Sequence, residues 1–366
     1  MPLALVTGAC GAIGNNLVDL LLEKGYKVRA TDLEKPTGVT VCDRERIESC
    51  GAEFIPSDLT RPETLEKTVK DVDIVFHLAS ILNYATPWEV MEKVNVQGTK
   101  NLCEVIAKTN PDARLIHCSS GEVYGFGMMD ASRLPPSGEL TEETQQKPGE
   151  SPYAKSKHLQ EQVVWKYSEE KGLKVTVLRL ASVYGPGTFI DTLLFFAITR
   201  GIVGAFPKYI NFRWPLVHVK DVIASSVFLA EKDVSVGEAY NIADDQNYTI
   251  AEVIYAIAFA TGNKLYNPPL PIHMSKVTRI TKAFIPLARR AAVRRINNVK
   301  KKGKTPVFET FTISAYMDTI KEVEKFSDDF KFSNTKLKGT GYKLLYPDYR
   351  YSVYETAEWY RARGYI

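Results

Sequence analysis

The chain has 366 residues, a formal net charge of +4, 45% hydrophobic residues and 25% charged residues. A chain of this length exceeds a minimal domain and is short for three, and its apolar fraction is sufficient for a full core. Internal repeats and low-complexity tracts are absent from the sequence. We therefore expect a globular protein with one or two domains, and we expect no nucleic-acid partner.

Five cysteines are scattered along the chain without the spacing of a metal site, at positions 10, 42, 50, 103 and 118. An odd number of cysteines in such an arrangement predicts reduced thiols in a cytoplasmic protein, and we expect no metal site.

No basic stretch precedes the first apolar segment, and no apolar run reaches the ~18 residues that a spanning helix requires. These features predict neither a signal peptide nor a transmembrane segment.

The N-terminal elements follow the order strand, glycine turn, helix, strand and acidic residue. Residues 3–6 predict a strand, apolar spacing over 13–22 predicts a buried helix, and residues 26–31 predict a second strand. Between the first strand and the helix lies the run Gly8-Ala9-Cys10-Gly11-Ala12-Ile13-Gly14. Glycines let the backbone approach a pyrophosphate, and the helix N-terminus adds N–H groups and a positive dipole. A tight turn without a ligand is the weaker alternative in this context.

The second strand ends at Asp32, which follows Gly14 by 18 residues. A carboxylate at this distance accepts a hydrogen bond from a ribose 2′-hydroxyl. An acid there repels a 2′-phosphate, and no arginine directly follows it. We therefore predict NAD rather than NADP, and the residues expected to bind it here are Gly8, Gly11, Ala12, Ile13, Gly14 and Asp32.

Farther along the chain, Tyr153 and Lys157 lie four residues apart, a spacing that places both on one face of a helix. An ammonium beside a phenol stabilises the phenolate and lowers the pKa of the tyrosine. Lowering that pKa from ~10 to about 7 takes roughly 4 kcal/mol and would make Tyr153 a general acid/base at neutral pH. A surface helix gives the same spacing by chance, so the pair alone leaves the function open.

The G-x-x-G-x-x-G spacing of the turn, together with Tyr153 and Lys157, resembles the short-chain dehydrogenase/reductase superfamily. Chain length and further motifs are similar to its extended branch, which contains nucleotide-sugar epimerases and dehydratases and the 3β-hydroxysteroid dehydrogenases. These motifs occur in family order and are Ser57-Asp58-Leu59, His77-Leu78-Ala79-Ser80, Asn95-Val96-Gln97-Gly98-Thr99, Ser119-Ser120-Gly121-Glu122-Val123-Tyr124-Gly125, Arg179-Leu180-Ala181-Ser182-Val183-Tyr184-Gly185-Pro186-Gly187 and Val217-His218-Val219-Lys220-Asp221-Val222. The similarity is closest to the hydroxysteroid dehydrogenase branch.

This resemblance implies an α/β fold: a doubly wound parallel sheet (Rossmann fold) with a smaller C-terminal substrate domain. We expect the NAD-binding domain over residues 1–185 plus about 216–245, and the substrate domain over about 186–215 plus 246–366. The alternation of strands and helices in the first half agrees with a doubly wound sheet. The resemblance also implies a homodimer built from the helices around residues 87–108 and 151–171.

The resemblance implies a role for each matching residue. Ser120 donates a hydrogen bond to the substrate oxygen. Tyr153 transfers the proton and also contacts the cofactor, and Lys157 holds the nicotinamide ribose. Glu122 matches an acid of the dehydratases, so it is either a second catalytic acid/base or a loop hydrogen-bonding group. Further expected cofactor contacts are Asp58 at the adenine, Leu59, Leu78, Ala79 and Asn95, and the expected substrate contacts are Ser80, Ser120, Ser182 and Trp214.

Two positions argue against a nucleotide-sugar substrate. Family epimerases have an asparagine where this chain has Ser182, and an arginine where it has Trp214. Bulky residues follow on the expected substrate side, although an ordinary core explains most of them: Phe189, Leu193, Leu194, Phe195, Phe196 and Phe206. These observations favour a lipophilic, hydroxysteroid-like small molecule.

Residues 276–304 contain eleven basic residues and no acidic one, so the rest of the chain carries a net charge of −7. Apolar positions share one helical face and basic positions lie opposite, which is typical of a helix that docks on an anionic membrane surface. A phosphate-binding rim and a solvated basic face are the alternatives.

Residues 126–150, rich in Pro, Gly, Ser and charge, form either a lid or a surface loop.

Three functions remain open. The first is an NAD-dependent oxidoreductase that interconverts a secondary alcohol and a ketone on a lipophilic substrate by hydride transfer. The second is a nucleotide-sugar epimerase or dehydratase that recycles tightly bound NAD. The third is a non-catalytic NAD-sensing protein, which the presence of Ser120, Tyr153 and Lys157 together disfavours.

Overall fold

The computed structural model describes residues 1–35, 44–82, 86–125, 135–149, 151–201, 203–206, 208, 213–267 and 331–366. The basic segment 276–304 and residues 126–134 of the expected loop lie outside the described residues, as do the side chains of Phe189 and Leu193. Within the described part of the chain, no helix is long and apolar enough to span a membrane.

The strands are β1 (Leu3–Thr7), β2 (Lys27–Thr31), β3 (Glu53–Phe54), β4 (Ile74–His77), β5 (Arg114–Ser120), β6 (Glu139–Leu140), β7 (Lys174–Leu180), β8 (Ser182–Tyr184), β9 (Leu216–His218), β10 (Glu238–Ile242) and β11 (Lys331–Phe332). One sheet has the order β3-β2-β1-β4-β5-β7-β10, and all its pairs are parallel. Two short parallel pairs, β6 with β11 and β8 with β9, lie beside it. The order reverses between β1 and β4, and ligands bind at the carboxyl ends of strands at such a point.

The α-helices are α1 (Ala12–Glu23), α2 (Arg44–Ser49), α3 (Glu66–Val69), α4 (Trp88–Met91), α5 (Gly98–Thr109), α6 (Pro152–Lys171), α7 (Phe189–Thr199), α8 (Val219–Ala230), α9 (Ile250–Ala260), α10 (Thr335–Gly339) and α11 (Tyr349–Ala362). A π-helical segment, Glu92–Gln97, joins α4 to α5. A 3₁₀ turn, Gly121–Tyr124, directly follows β5.

Apolar side chains cover both faces of the large sheet. On one face α1 and α8 pack through residues such as Leu17 and Val227. On the other face α5 and α6 pack through residues such as Leu102, Ile106 and Val164. All four residues of β4 are buried, as is expected of a parallel strand covered on both sides. The predicted doubly wound sheet is confirmed.

A third apolar core is formed by β8, α7, α9 and α11. Its largest buried side chains are Tyr184, Phe195, Tyr349 and Tyr360. Leu194 and Phe206 pack against it. Phe195, Leu194 and Phe206 therefore belong to a core, which was the favoured interpretation for most of these bulky residues.

The ends of the helices follow local capping signals. Ser151 caps α6, because its hydroxyl accepts from Ala154 N at 3.0 Å and Pro152 fills the first helical position. The last helix, α11, begins at Tyr349 because Asp348 caps it, with a side chain that accepts from Arg350 N at 2.9 Å.

Candidate active site

The glycine turn between β1 and α1 is too compressed for other residue types. Gly8 has a φ of +70°, and a Cβ there would lie 2.8 Å from Ala79 Cα. A Cβ on Gly14 would lie 2.2 Å from the Gly8 carbonyl oxygen. Gly11 N donates to the same oxygen at 3.1 Å. The turn therefore brings bare backbone to the point where the strand order reverses.

The first turn of α1 fits an anionic ligand. Gly11 occupies the N-cap, and no side chain among the described residues caps this helix. The N–H groups of Ala12, Ile13 and Gly14 have no partner inside the helix. Such N–H groups and the helix dipole bind phosphate oxygens. The residues present therefore fit a dinucleotide pyrophosphate.

Asp32 lies beside this turn, directly after β2. Its carboxylate accepts hydrogen bonds from Cys10 N at 3.1 Å and from Leu33 N at 2.8 Å. Burial raises the pKa of Asp32, and these two hydrogen bonds oppose the rise. A carboxylate has lone pairs beyond the two used here. The arrangement suits ribose hydroxyls, and the ribose contact stays a prediction.

Thr7, which no motif singled out, ties β1 to the backbone that follows β4. Its hydroxyl accepts from Leu78 N and Ala79 N, both at 3.2 Å, and contacts His77 Nδ1 at 2.9 Å. Burial, and secondarily Lys157, lowers the pKa of His77 to about 3. His77 is therefore neutral and structural. A threonine directly before the first glycine was the signal for this role.

Asn95, an expected cofactor contact, uses its side chain within the protein. It is fully buried in the π-helical segment. Its amide nitrogen donates to the Ile81 carbonyl at 3.1 Å and to Ser156 Oγ at 3.0 Å, and its oxygen accepts from Ile81 N at 2.7 Å. Asn95 thus connects the segment after β4 to α6, and a direct contact with the cofactor remains a prediction.

Asp58 and Leu59 shape the loop after β3. Asp58 Oδ1 accepts from Thr60 N at 2.9 Å. Burial works to raise the Asp58 pKa, but hydrogen bonds from Thr60 lower it overall. Leu59 lies so close to α5 that a Cβ on Gly98 would be 2.7 Å from Leu59 Cβ. The glycine of the Asn95–Thr99 motif is therefore required for close packing, and the adenine contact of Asp58 remains a prediction.

Ser120, Glu122 and Tyr153 come together at the carboxyl end of β5. The Ser120 side chain is hydrogen-bonded to Tyr153 and accepts from Glu122 N at 3.2 Å. Tyr153 and Glu122 are only 8% and 7% exposed. Ser119 has a different partner, since its hydroxyl donates to Glu161 at 2.5 Å. The structure therefore places Ser120, rather than Ser119, beside the tyrosine.

The expected lowering of the Tyr153 pKa does not occur in this structure. Burial raises that pKa above its ordinary value, Glu122 raises it further, and the Ser120 hydrogen bond acts in the opposite direction. Lys157 Nζ lies 6.0 Å from the centre of the Tyr153 ring. The expectation was wrong because it counted the neighbouring ammonium and left out desolvation and the Glu122 carboxylate.

Lys157 is held by the backbone of β5. Its Nζ donates to the Cys118 carbonyl at 2.9 Å, and the residue is 4% exposed. Burial lowers the Lys157 pKa to about 8, whereas Cys118 and Glu161 act to raise it. The side chain is therefore predominantly an ammonium at neutral pH.

Two of the expected substrate residues contact each other. Trp214 Nε1 donates to Ser182 Oγ at 2.8 Å. Ser182 lies two residues beyond Leu180, which pairs with Ser120 in the sheet. The Ser182–Trp214 contact therefore lies at the same sheet edge as Ser120. Ser80 Oγ is buried without a hydrogen-bond partner in the described part of the chain.

Glu161 is a site residue that the motifs did not reveal. It is 1% exposed and forms a salt bridge with Arg179, with Nη2 and Oε2 3.0 Å apart. Glu161 follows Lys157 by four positions, as Lys157 follows Tyr153. This repeated spacing on one helical face was the signal that could have found it.

The chain matches the sequence model of the NAD dependent epimerase/dehydratase family over residues 4–243. Vestitone reductase of Medicago sativa is 29% identical over 64% of this chain and 74% of its own length. Cinnamoyl-CoA reductase 1 of Petunia hybrida is 31% identical over 62% of this chain and 68% of its own length. The structure of UDP-glucose 4-epimerase from Thermotoga maritima with UDP-glucose has a TM-score of 0.70 and 22% identity, and the match covers 99% of each chain.

The fold and the sequence matches define an enzyme of the extended short-chain dehydrogenase/reductase type. More specifically, the chain belongs to the NAD dependent epimerase/dehydratase family. This membership confirms the family resemblance and NAD as the cofactor.

Proposed function

We propose that this protein is an NAD-dependent oxidoreductase that interconverts a secondary alcohol and a ketone on a lipophilic, hydroxysteroid-like substrate. The observation that carries the proposal is the hydrogen bond between Ser120 and Tyr153. It lies at the carboxyl edge of the sheet that also carries the glycine turn. Two hydroxyl groups in contact can hold a carbonyl oxygen and protonate it.

In the direction of reduction, Tyr153 gives its phenolic proton to the substrate oxygen. The raised pKa of Tyr153 keeps the phenol protonated at neutral pH. Ser120 donates a hydrogen bond to the same oxygen, which strengthens as negative charge develops there. The Lys157 ammonium stabilises the phenolate that remains, and this phenolate regains its proton from water. The bound cofactor supplies the hydride.

The contact between Ser182 and Trp214 supports a lipophilic substrate. The indole N–H is already used by Ser182, so Trp214 offers an aromatic surface. Family epimerases have an asparagine and an arginine at these positions, and the asparagine helps to hold the sugar nucleotide's diphosphate. An aromatic side chain in place of that arginine removes a positive charge from the expected substrate site, which favours an uncharged ring system as the substrate.

Relatives that are named as reductases, such as vestitone reductase and cinnamoyl-CoA reductase 1, support an oxidoreductase. The second candidate is a nucleotide-sugar epimerase or dehydratase with tightly bound NAD, and the similarity to UDP-glucose 4-epimerase favours it. In that case Glu122 would serve as a second acid/base. A non-catalytic NAD sensor would have no use for Ser120, Tyr153 and Lys157 together.

Purified protein distinguishes these candidates. The protein is mixed with NADH and with sterol ketones, other lipophilic hydroxy-ketones or nucleotide sugars, and NADH absorbance and products are followed. Net oxidation of NADH with a lipophilic ketone supports the proposal. Conversion of a nucleotide sugar by protein that retains its NAD, without net change in NADH, identifies the epimerase or dehydratase. Bound NAD without turnover of any substrate identifies the sensor.

We also propose the organisation of the whole protein. Residues 1–185 plus about 216–245 would form the NAD-binding domain. Residues of about 186–215 plus 246–366, which include α7, α9 and α11 of the third core, would form the substrate domain. The helices around residues 87–108 and 151–171 would form a homodimer interface. The protein would be cytoplasmic, with segment 276–304 on an anionic membrane surface. Light scattering on the purified protein tests the dimer, because a monomer mass at micromolar concentration contradicts it.

A further inference from the structure

A buried ion pair lies one helical turn beyond Lys157. The side chains of Glu161 and Arg179 are 1% and 7% exposed, and Arg179 Nη2 lies 3.0 Å from Glu161 Oε2. Arg179 Nε also donates to both carboxylate oxygens at 3.2 Å. Two charges leave water at a large free-energy cost, and only close geometry with further hydrogen bonds offsets it.

Those further hydrogen bonds reach different parts of the site. Glu161 accepts from Ser119 Oγ at 2.5 Å and from Gln146 Nε2 at 2.6 Å. Ser119 belongs to β5, and Gln146 belongs to the segment that precedes α6. Glu161 therefore connects the catalytic helix with the strand and with the chain that leads into the helix.

Arg179 extends the network on its other side. Its Nη1 donates to Tyr124 OH at 2.6 Å and to the Glu142 carbonyl at 2.9 Å. The Glu142 carboxylate accepts from Asn241 N at 2.7 Å, and Asn241 Nδ2 donates to the Leu140 carbonyl at 3.2 Å. Residues 139–149 are thus fastened to β7, β10 and α6 rather than extended into solvent.

Three consecutive residues of β5 each contact one of three regularly spaced residues of α6. The Cys118 carbonyl accepts from Lys157. The Ser119 hydroxyl donates to Glu161. The Ser120 side chain is hydrogen-bonded to Tyr153. Glu161 therefore contacts the residue of β5 that lies between those contacted by the two proposed catalytic residues of the helix.

We propose that Glu161 is a positioning residue that, through its ion pair with Arg179, fixes the Tyr153–Lys157 face of α6 against β5 and couples it to residues 139–149. The proposal rests on the oxidoreductase function proposed above. Glu161 does not touch the reacting atoms in this scheme, so its effect is transmitted through the position and charge of Lys157.

The groups around Lys157 show why the charge of Glu161 matters. The titratable groups that face Lys157 are His77 on β4, His117 and Cys118 on β5, and Tyr153 and Glu161 on α6. Burial lowers the pKa of both histidines and raises that of Cys118 to about 11, so these groups are neutral at pH 7. Glu161 is the remaining carboxylate that favours the ammonium. Removing its charge lowers the Lys157 pKa below about 8.

The test compares Glu161→Gln with Glu170→Gln, both on α6. Glu170 is a matched control because its side chain is 59% exposed and pairs with Lys166 at the surface. Ketone reduction is measured against pH, and hydrogen exchange is measured for residues 139–149 and the first two turns of α6. We expect Glu161→Gln to lower kcat roughly ten- to hundredfold with little change in KM for NADH. As the pH is raised, the activity of Glu161→Gln should also begin to fall at a lower pH than that of the wild type, because its Lys157 loses the proton earlier. Both segments should exchange faster.

Unchanged exchange together with an unchanged pH profile in Glu161→Gln overturns the proposal. Glu161→Gln leaves a buried arginine unpaired, so Glu161→Gln/Arg179→Met provides a second variant without that charge. If the wild-type protein binds NADH but reduces no ketone, the proposed function fails, and hydrogen exchange alone decides the positioning role. Faster exchange in both segments then supports it, and wild-type exchange overturns it.

Discussion

Tyr153 and Lys157 are both buried, and burial shifts their pKa values in opposite directions. It raises that of the phenol and lowers that of the ammonium to about 8. Both shifts favour the neutral form of the side chain. A neutral phenol donates a proton at the start of ketone reduction, whereas alcohol oxidation requires the phenolate first. The residues therefore suit reduction at neutral pH, where the phenol and the Lys157 ammonium are both present.

Replacing Tyr153 by phenylalanine tests this chemistry at a single atom. Tyr153→Phe should lower kcat by about 10²–10⁴-fold, the usual contribution of general acid catalysis, and should leave NADH affinity unchanged. Tyr167→Phe is a matched control on the same helix, because the Tyr167 hydroxyl donates to Glu104 at 2.6 Å. That control should retain its activity and lose about 1–3 kcal/mol of stability at most. Steady-state kinetics with wild-type activity in Tyr153→Phe would contradict the mechanism.

Among the secondary-structure elements, the glycine turn imposes the strictest steric limit. In Gly14→Ala the new methyl group would meet the Gly8 carbonyl oxygen at 2.2 Å. The Gly8 oxygen is a backbone atom that cannot rotate away as a side chain would, so α1 must shift to relieve the contact. We expect a loss of about 1–3 kcal/mol of stability and weaker NADH binding in a fluorescence titration. Gly204→Ala is the control, since a Cβ there enters open space, and equal NADH affinity in the two variants would refute the steric argument.

Asp191 joins two elements of the third core. It is fully buried and accepts from Gly185 N at 2.8 Å and from Tyr349 OH at 3.2 Å. Burial raises its pKa from 3.8 to about 7, although these hydrogen bonds act to lower it. The folded protein therefore keeps a proton on Asp191 at pH values where an unfolded chain, with a pKa of ~3.9, has lost it.

The sign of the resulting pH dependence follows from proton counting. Between about pH 4 and pH 7 the native state binds more protons than the unfolded state, so stability falls as pH rises by up to ~1.4 kcal/mol per unit. Denaturant unfolding should show this slope in the wild type relative to Asp191→Asn, with a plateau above pH 7. Asp112→Asn, at a carboxylate that is 93% exposed, should show no such difference from the wild type. Parallel stability curves for the wild type and Asp191→Asn would exclude a buried proton.

Elements whose signals are local in sequence could be predicted, and contacts between distant segments could not. The glycine turn, the acid at its side and the helix of Tyr153 follow from spacings of a few residues. Thr7 meets His77 across 70 positions because the sheet pairs β1 with β4. Arg179 on β7 meets Glu161 across 18 positions because α6 packs against the sheet. The predicted direction of the Tyr153 pKa shift was also wrong, since the desolvation that raises this pKa depends on the packed structure.

For the molecule as a whole, the distribution of charge is uneven along the chain. Residues 276–304 carry eleven basic side chains, while the remaining residues carry a net charge of −7. A neutral surface offers such a segment only hydrophobic contact, whereas an anionic surface adds about 1 kcal/mol per basic residue near it. The proposed membrane interaction should therefore depend on lipid charge and on salt.

Vesicle flotation tests this dependence. The protein should float with vesicles that contain phosphatidylserine and not with phosphatidylcholine alone. Binding should weaken with salt, because the screening length falls from ~10 Å at 0.1 M to ~3 Å at 1 M. Arg289→Gln/Arg290→Gln should lose about 2 kcal/mol of binding free energy, whereas Lys24→Gln/Lys27→Gln removes the same net charge from exposed positions and should bind normally. Equal loss of binding in both double variants would show that net charge alone determines binding. The absence of flotation at low salt would exclude the proposed membrane interaction.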